Sequence, residues 1–134
     1  MIIVDKNKLV TVEIYWKDQA RSIRIETPLT LAVLPAEEQK GYTKLSMKMR
    51  PMDWGIFNRL QSESLNPRAP GVEDSVNWIL YKQKKFKALL AEWDAKDDKG
   101  NPIPVKDETL DSLHPIIPEI ALREYDSKTV FGAE

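Results

Sequence analysis

The hydrophobic periodicity of this chain changes near residue 50, and that change limits the possible folds more than any other sequence feature. Before residue 50, apolar residues recur at every second position, and beyond it they recur at the three- and four-residue spacing of helices. Period-two alternation of β-branched and aromatic residues is typical of strands with one buried face. The sequence therefore predicts an α+β fold, with an N-terminal β-hairpin or small antiparallel sheet followed by a helical C-terminal half.

Two alternating runs and a third candidate strand make up the N-terminal part. The runs span residues 9–16 and 22–27, and the polar stretch 17–21 separates them. We expect a hairpin whose loop has about five residues, which is longer than the tight two-residue turns. The third strand is predicted from the alternating apolar residues Leu45, Met47 and Met49.

The first helical patterns follow residue 51. Asp53 can cap a helix that carries Trp54, Phe57 and Leu60 at successive three-residue steps. The longest helical pattern spans residues 73–94. Its predicted apolar face consists of Val76, Ile79, Leu80, Phe86, Leu89, Leu90 and Trp93.

Shorter elements complete the C-terminal half. The polar residues 97–102 predict a turn, and a short helix opens at Asp107. A last helix is expected over residues 115–126. We treat the 134 residues as a single domain, with a β-rich part over 1–50, a helical part over 51–127 and a loose tail over 128–134.

The composition argues against several classes of function. Lys and Arg number 20 against 21 Asp and Glu, so the chain lacks the basic excess that usually accompanies nucleic-acid binding. Without cysteine there is no disulfide framework, thiolate metal site or cysteine nucleophile. No apolar stretch approaches the ~20 residues of a membrane-spanning helix. We therefore expect a soluble cytoplasmic protein that binds neither nucleic acid nor membrane.

Residues able to carry catalysis or hold a metal ion are scattered. The one histidine, His114, precedes a proline, and no motif supplies it with a nucleophile. A calcium loop with Gly100 at its sixth position would place Ala95, Lys99 and Lys106 where oxygen ligands belong. The sequence therefore predicts no enzyme, no metal site and no cofactor. The alternative is an enzyme built on the scattered acids Glu63, Asp74 and Glu92.

Binding of another protein is the class that remains, and two kinds of residue favour it. A run of lysines is typical of the solvated face of a helix, and it is also able to bind an acidic segment. The run consists of Lys82, Lys84, Lys85 and Lys87. Four tryptophans are many for this length, and we expect most of them in the core, with Trp78 at the edge of the apolar face. The candidate partner-binding residues are Trp78, Lys82, Lys85 and Trp93.

A series of structural markers runs from residue 90 to residue 125. The markers are Trp93-Asp94 at a helix end, Asp98-Lys99-Gly100 in a turn, Pro102-Ile103-Pro104-Val105 in an extended link, Glu108-Thr109-Leu110 in a short helix, Leu113-His114-Pro115 before the last helix, and Tyr125. In this order they resemble the tail assembly chaperones of long-tailed bacteriophages, and the N-terminal hairpin is similar to the short β region that opens those proteins. The resemblance covers about a quarter of the chain, and residues 29–51 have no matching pattern.

The resemblance implies a non-enzymatic protein of the infected host cytoplasm. Such a chaperone binds the tape-measure protein, keeps its hydrophobic helices from aggregating, and helps the tail tube protein to polymerise around it. The resemblance also implies possible self-association into a homo-oligomer. The alternative is a structural virion component of the tail, neck or baseplate, whose hairpin would pair edge to edge with its neighbours.

Overall fold

The computed structural model of the protein describes residues 2–67, 70–71 and 73–129. Its elements in chain order are β1 (Val10–Gln19), β2 (Ser22–Glu26), α1 (Pro28–Ala32), α2 (Ala36–Gln39), β3 (Thr43–Met49), α3 (Trp54–Ser62), α4 (Trp78–Leu89), β4 (Leu90–Trp93), α5 (Asp107–Asp111) and α6 (Ile116–Thr129). The strands form one antiparallel sheet in the order β2-β1-β3-β4, and α6 packs across β1 and β2 and against α4. The α+β class predicted from the sequence is confirmed.

The central strands β1 and β3 supply the sheet side of the core. Val12 on β1 and Met47 and Met49 on β3 are fully buried, and Val12 lies opposite Met47 in the antiparallel ladder. The alternate residues face away from the core, where Lys44 Nζ lies 2.7 Å from Glu13 Oε2. The predicted alternation and the third strand are therefore confirmed.

The hairpin loop is shorter than the predicted five residues. β1 continues to Gln19, which pairs with Ser22 and leaves Ala20 and Arg21 as a two-residue turn. Ala20 has a φ of 55°, the positive value required of the first central residue in a type II′ turn. The polar residues 17–19 did not end the strand, because a strand at the surface keeps its backbone pairing whatever the polarity of its side chains.

The pattern over residues 73–94 does not form one helix. Residues 73–77 are not helical, and Asn77 caps α4 by accepting a hydrogen bond from Leu80 N at 3.1 Å. At its other end α4 passes directly into β4, which pairs with β3 as a fourth strand. The residues of β4 belong to the segment 73–94, which was predicted to be helical throughout. Apolar residues at positions 90 and 93 fit a helix face and a short strand equally well. Backbone pairing with the open edge of β3 decides between them.

Burial on the helices differs from the predicted apolar faces. Ile79 is exposed, and Tyr81 and Lys85 are buried in its place on α4. Trp54 and Trp78 are also exposed, so the expectation that most tryptophans lie in the core is wrong, whereas Trp78 lies at the edge of the apolar face as predicted. A helical period identifies a face only when the direction of the core is known, and here that direction is set by the packing of α4 on α6.

The boundaries of α3 and α6 agree in part with the sequence. Asp53 caps α3 as predicted, because its Oδ1 accepts a hydrogen bond from Ile56 N at 2.8 Å. The last helix continues past its predicted end at residue 126, and residues 128 and 129 of the predicted loose tail are helical. Lys128 Nζ in this extension donates to the carbonyl oxygen of Thr11 at 2.8 Å. Residues 130–134 of that tail lie outside the described residues.

Arg50, which follows β3, joins the sheet to both long helices. Its backbone N–H donates to Leu89 O at 2.7 Å, and its Nη1 donates to Ala88 O at 3.1 Å and Leu90 O at 3.0 Å. Its own carbonyl oxygen accepts a hydrogen bond from Tyr125 Oη of α6 at 2.9 Å. Carbonyl groups at a helix C-terminus lack intrahelical partners and favour a nearby cation, so Arg50 both caps α4 and anchors α6.

We predict that Ala20→Gly stabilises the protein. Glycine adopts a positive φ without steric cost, so the free energy of unfolding should rise by about 0.5–1 kcal/mol. The same substitution at Ala88, inside α4, is the matched control and should lower it by about 1 kcal/mol. Urea titrations of the three proteins measure both changes, and a loss of stability in Ala20→Gly would contradict the turn assignment.

Tyr125 makes the free energy of unfolding depend on pH in the alkaline range. Burial raises the pKa of its phenol to about 12, whereas the unfolded chain titrates near the ordinary value of about 10. The stability gained from the protonated phenol is therefore complete below about pH 10 and is lost as the pH approaches about 12. Over this range the free energy of unfolding should fall by about 2 kcal/mol more in the native protein than in Tyr125→Phe. Parallel denaturant titrations test this, and equal pH slopes would contradict it.

Candidate partner-binding groove

A groove lies between α4 on one side and α5 and α6 on the other, and we name it the α4–α6 groove. Its larger cavity has a volume of about 370 Å³, within the range of ligand pockets. The apolar residues that line this cavity are Ile79, Phe86, Leu110, Leu113, Pro115, Pro118 and Leu122. Phe86, Leu110 and Leu122 are buried and form the floor, whereas Ile79 is exposed at the edge.

A second cavity of about 220 Å³ continues the groove. Trp78 and Tyr81 of α4 line it, and it shares Lys82, Glu119 and Leu122 with the larger cavity. Lys82 Nζ lies 3.4 Å from Glu119 Oε1, so one ion pair between α4 and α6 marks the junction of the two cavities. The two cavities are therefore adjacent, and the groove they form is apolar along its floor and charged at its rim.

Local sequence features fix where the walls of the groove begin. The Asn77 cap starts α4 directly before Trp78. At the other wall, Ile117 N donates to the carbonyl oxygen of His114 at 3.0 Å, and Pro118 lies in the first turn of α6. A proline is tolerated there because backbone N–H groups of a first turn have no intrahelical acceptor.

Four aromatic rings connect the groove to α3. Trp78 packs edge-on against Tyr81 with ring centroids 5.2 Å apart, and Tyr81 packs in the same way against Phe57 at 6.3 Å. Phe57 is stacked with Trp54, also at 6.3 Å. These spacings are typical of favourable aromatic pairs. The exposed rings at both ends extend the apolar surface from the groove across α4.

Each lysine of the predicted basic run has an acidic partner. The distances from Nζ to the carboxylate are 3.4 Å for Lys82–Glu119, 4.0 Å for Lys84–Glu63, 2.7 Å for Lys85–Asp126 and 2.6 Å for Lys87–Asp111. Arg123 contributes a second cation beside Glu119 at 3.4 Å. Three of these lysines reach from α4 across to α5 or α6. Three of the four pairs therefore lie along the groove, and the Lys84–Glu63 pair joins α4 to the end of α3.

Lys85 is the buried member of the run. Its side chain is 11% exposed, and its Nζ lies 5.9 Å from the ring centroid of Tyr81 and 5.8 Å from that of Tyr125. A cation in such surroundings needs its counter-charge, which Asp126 supplies. Lys85 therefore holds α4 against α6.

The four residues predicted from the sequence to contact a partner lie in different surroundings. Trp78 and Lys82 line the groove, and Lys85 reaches its smaller cavity with its charge already paired. Trp93 lies on β4, where its Nε1 donates to the carbonyl oxygen of Ile103 at 2.7 Å. Ile79 was missed as a surface residue because the helical period placed it in the core, and no other sequence signal distinguishes it.

The acidic side chains of the described residues form no cluster of metal ligands. In that part of the chain, no group of three His, Cys, Asp or Glu side chains is arranged to hold a metal ion. Glu63 and Glu92 lie on different elements and pair with different lysines. Asp53 has a lowered pKa because its carboxylate accepts a hydrogen bond from Ile56 N. This hydrogen bond caps α3, so the shift follows from helix capping. Nor is any helix within the described ranges long and apolar enough to cross a bilayer.

Comparison with known proteins adds no identification. No protein-family model matches the chain, and neither the curated proteins nor the solved structures contain a match. A functional conclusion therefore depends on the groove and on the markers between residues 90 and 125.

We predict that Asp126→Ala destabilises the protein by about 1–3 kcal/mol, because it leaves Lys85 buried without its counter-charge. Lys82→Ala is the matched control, since it removes an exposed ion pair between the same two helices and should cost less than about 0.5 kcal/mol. Urea titrations at neutral pH measure both values. Equal losses in the two variants would contradict a structural role for the Lys85–Asp126 pair.

Proposed function

We propose that this chain is a non-enzymatic tail assembly chaperone of a long-tailed bacteriophage, and that the α4–α6 groove holds an apolar helical segment of the tape-measure protein. The observation that carries the proposal is the groove itself, which has an apolar floor and the exposed apolar residues Trp78 and Ile79 at one wall. An amphipathic helix binds such a groove by laying its apolar stripe along the floor.

The residues at the groove suit a helical partner of this kind. Trp78 and Ile79 are exposed at one wall, and an apolar side chain of this size contributes roughly 1.5–3 kcal/mol when it is fully covered. The charges on the rim are paired within the chain, so the groove offers a partner apolar surface with little net charge. Long, apolar helices of a tape-measure protein present the matching surface.

The segment that resembles the chaperone family also builds one wall of the groove. Leu110 and Leu113 come from the markers of α5 and the step that follows it, and both line the larger cavity. Tyr125, the last marker, anchors α6 to Arg50. Residues that carry the resemblance thus also line the groove. This overlap supports one functional interpretation for both.

In this proposal the protein acts in the cytoplasm of the infected host. It keeps the tape-measure protein from aggregating until the tail tube protein polymerises around it. The groove then releases its helix, and the chaperone is absent from the mature virion.

Ile79→Asp tests the proposal. We expect this variant to lose capture of the tape-measure protein encoded beside it, because a carboxylate at the groove edge opposes burial of an apolar helix. Ile3→Asp is a matched control, since Ile3 is 73% exposed and Ile79 is 76% exposed. The measurement is co-expression with the neighbouring genes, affinity capture on a tag and mass spectrometry of the bound proteins.

The outcomes separate clearly. The proposal is supported if the native chain and Ile3→Asp both recover one long, helix-rich protein and Ile79→Asp does not. Capture of no tape-measure protein by the native chain would refute it. Equal capture by all three proteins would place the contact outside the groove.

A structural virion component is the second candidate, favoured by one specific observation. β2 forms an edge of the sheet, and no described strand pairs with its outer side. Such an edge is able to accept a strand from a neighbouring subunit. Mass spectrometry of purified particles distinguishes the candidates, because a structural component is present in stoichiometric amount and a chaperone is absent.

A further inference from the structure

Three β-branched apolar residues ahead of β1 lie at the surface, and we name residues 2–4 the strap. Ile2 is 98% exposed, Ile3 is 73% exposed and Val4 is 38% exposed. Single exposed apolar residues are common on protein surfaces, whereas three in succession leave a continuous apolar segment in water. Such a segment gains free energy when a second apolar surface covers it.

An ion pair holds the chain next to the strap against the start of α3. Lys6 Nζ lies 3.5 Å from Asp53 Oδ2, and Asp53 is the residue that caps α3. Asp5 begins a hydrogen-bonded turn here, because its Oδ1 accepts from Asn7 N at 3.0 Å and its carbonyl oxygen accepts from Lys8 N at 3.1 Å. The strap therefore leaves an ordered turn that lies beside the first residues of α3.

Trp54 is the exposed apolar residue on the other side of this tether. It follows Asp53 directly and is 77% exposed. Ile3 lies three residues from Lys6, and three residues of extended chain span about 10 Å. That length suffices to bring the strap over the residue next to Asp53, whereas Trp78 lies at the far end of the aromatic series, three ring contacts away. The tether thus selects Trp54 as the surface that the strap covers.

We propose that the strap closes over Trp54, with Ile2 and Ile3 against its indole ring. The exposures given above describe the open strap, and closure removes both apolar surfaces from water. The Lys6–Asp53 pair keeps the strap beside its target. The contact is intramolecular, so it forms at a high effective concentration and requires the ordering of only a few residues.

Closure acts on the apolar surface that leads to the groove. Trp54 is the outer ring of the series that continues through Phe57 and Tyr81 to Trp78. The closed strap covers this outer end and leaves the groove open, so a partner that extends from the groove to Trp54 has to displace the strap. The contact itself depends on this chain alone and goes beyond the proposed function.

The indole N–H resonances in a two-dimensional NMR spectrum test closure. Trp54→Phe identifies the Trp54 resonance among those of the four tryptophans, and subtraction of its fluorescence isolates the Trp54 emission. In the double variant Ile2→Ser/Ile3→Ser the Trp54 resonance should move, and acrylamide quenching of the Trp54 emission should rise ~2-fold or more, because the ring then stays in water. Leu29→Ser is the matched control, since Leu29 is 83% exposed on α1 and its replacement should leave Trp54 unchanged.

Disulfide trapping gives an independent measurement, because the chain has no cysteine of its own. Asn58 is exposed on α3, four residues after Trp54 and on the same side of the helix. Ile3→Cys/Asn58→Cys should therefore form an intramolecular disulfide under mild oxidation. Ile3→Cys/Ala36→Cys is the matched control and should stay reduced, because α2 lies near the end of β1 that is farther from the strap.

Either measurement is able to overturn closure. An unchanged Trp54 resonance and unchanged quenching in Ile2→Ser/Ile3→Ser would do so, and so would equal disulfide yields at positions 58 and 36. The replaced residues are exposed, and circular dichroism verifies that the variants keep the native fold. Neither measurement involves a partner, so a strap that fails to close leaves the proposed function standing. A native chain that captures no tape-measure protein likewise leaves closure standing.

Discussion

The backbone and guanidinium of Arg50 connect three parts of the molecule that are distant in sequence. The residue follows β3, and its guanidinium donates hydrogen bonds to carbonyl oxygens at the C-terminal end of α4. Its own carbonyl oxygen accepts a hydrogen bond from the Tyr125 phenol of α6. Removing a helix end from water without such partners would cost several hydrogen bonds. The relative position of α4 and α6, and hence the width of the groove between them, depends on this residue together with the Lys85–Asp126 pair.

The sequence predicted the sheet better than it predicted the helices, and the reason is physical. Alternation in β1 and β3 identifies a buried face directly, since Val12 and Met47 can only point inward together. The end of α4 required knowledge of a distant partner, because Leu90–Trp93 becomes a strand only when β3 offers an unpaired edge. The tight turn at Ala20 was hidden for a related reason, as no glycine marks its positive φ.

The candidate groove was predictable only in part. Trp78 and Lys82 were named from the sequence and line the groove, but their surroundings were not foreseeable. Charge pairing across helices depends on packing, so the lysine run gave no sign that Lys87 would reach Asp111 or that Lys85 would be buried. Ile79 looked like a core residue because a helical stripe does not reveal which of its members lie at the edge of the core.

The paired rim determines how the groove can select an occupant. A ligand that relied on charge would have to break existing ion pairs, such as Lys87–Asp111 at 2.6 Å, and exposed pairs return little free energy when they are exchanged. An apolar stripe with the right spacing meets no such competition and covers floor and edge together. If the groove holds a partner as proposed, shape and apolar area rather than charge should therefore select it. In the proposed function, this lack of charge selection suits a groove that holds successive amphipathic helices of one long helical protein.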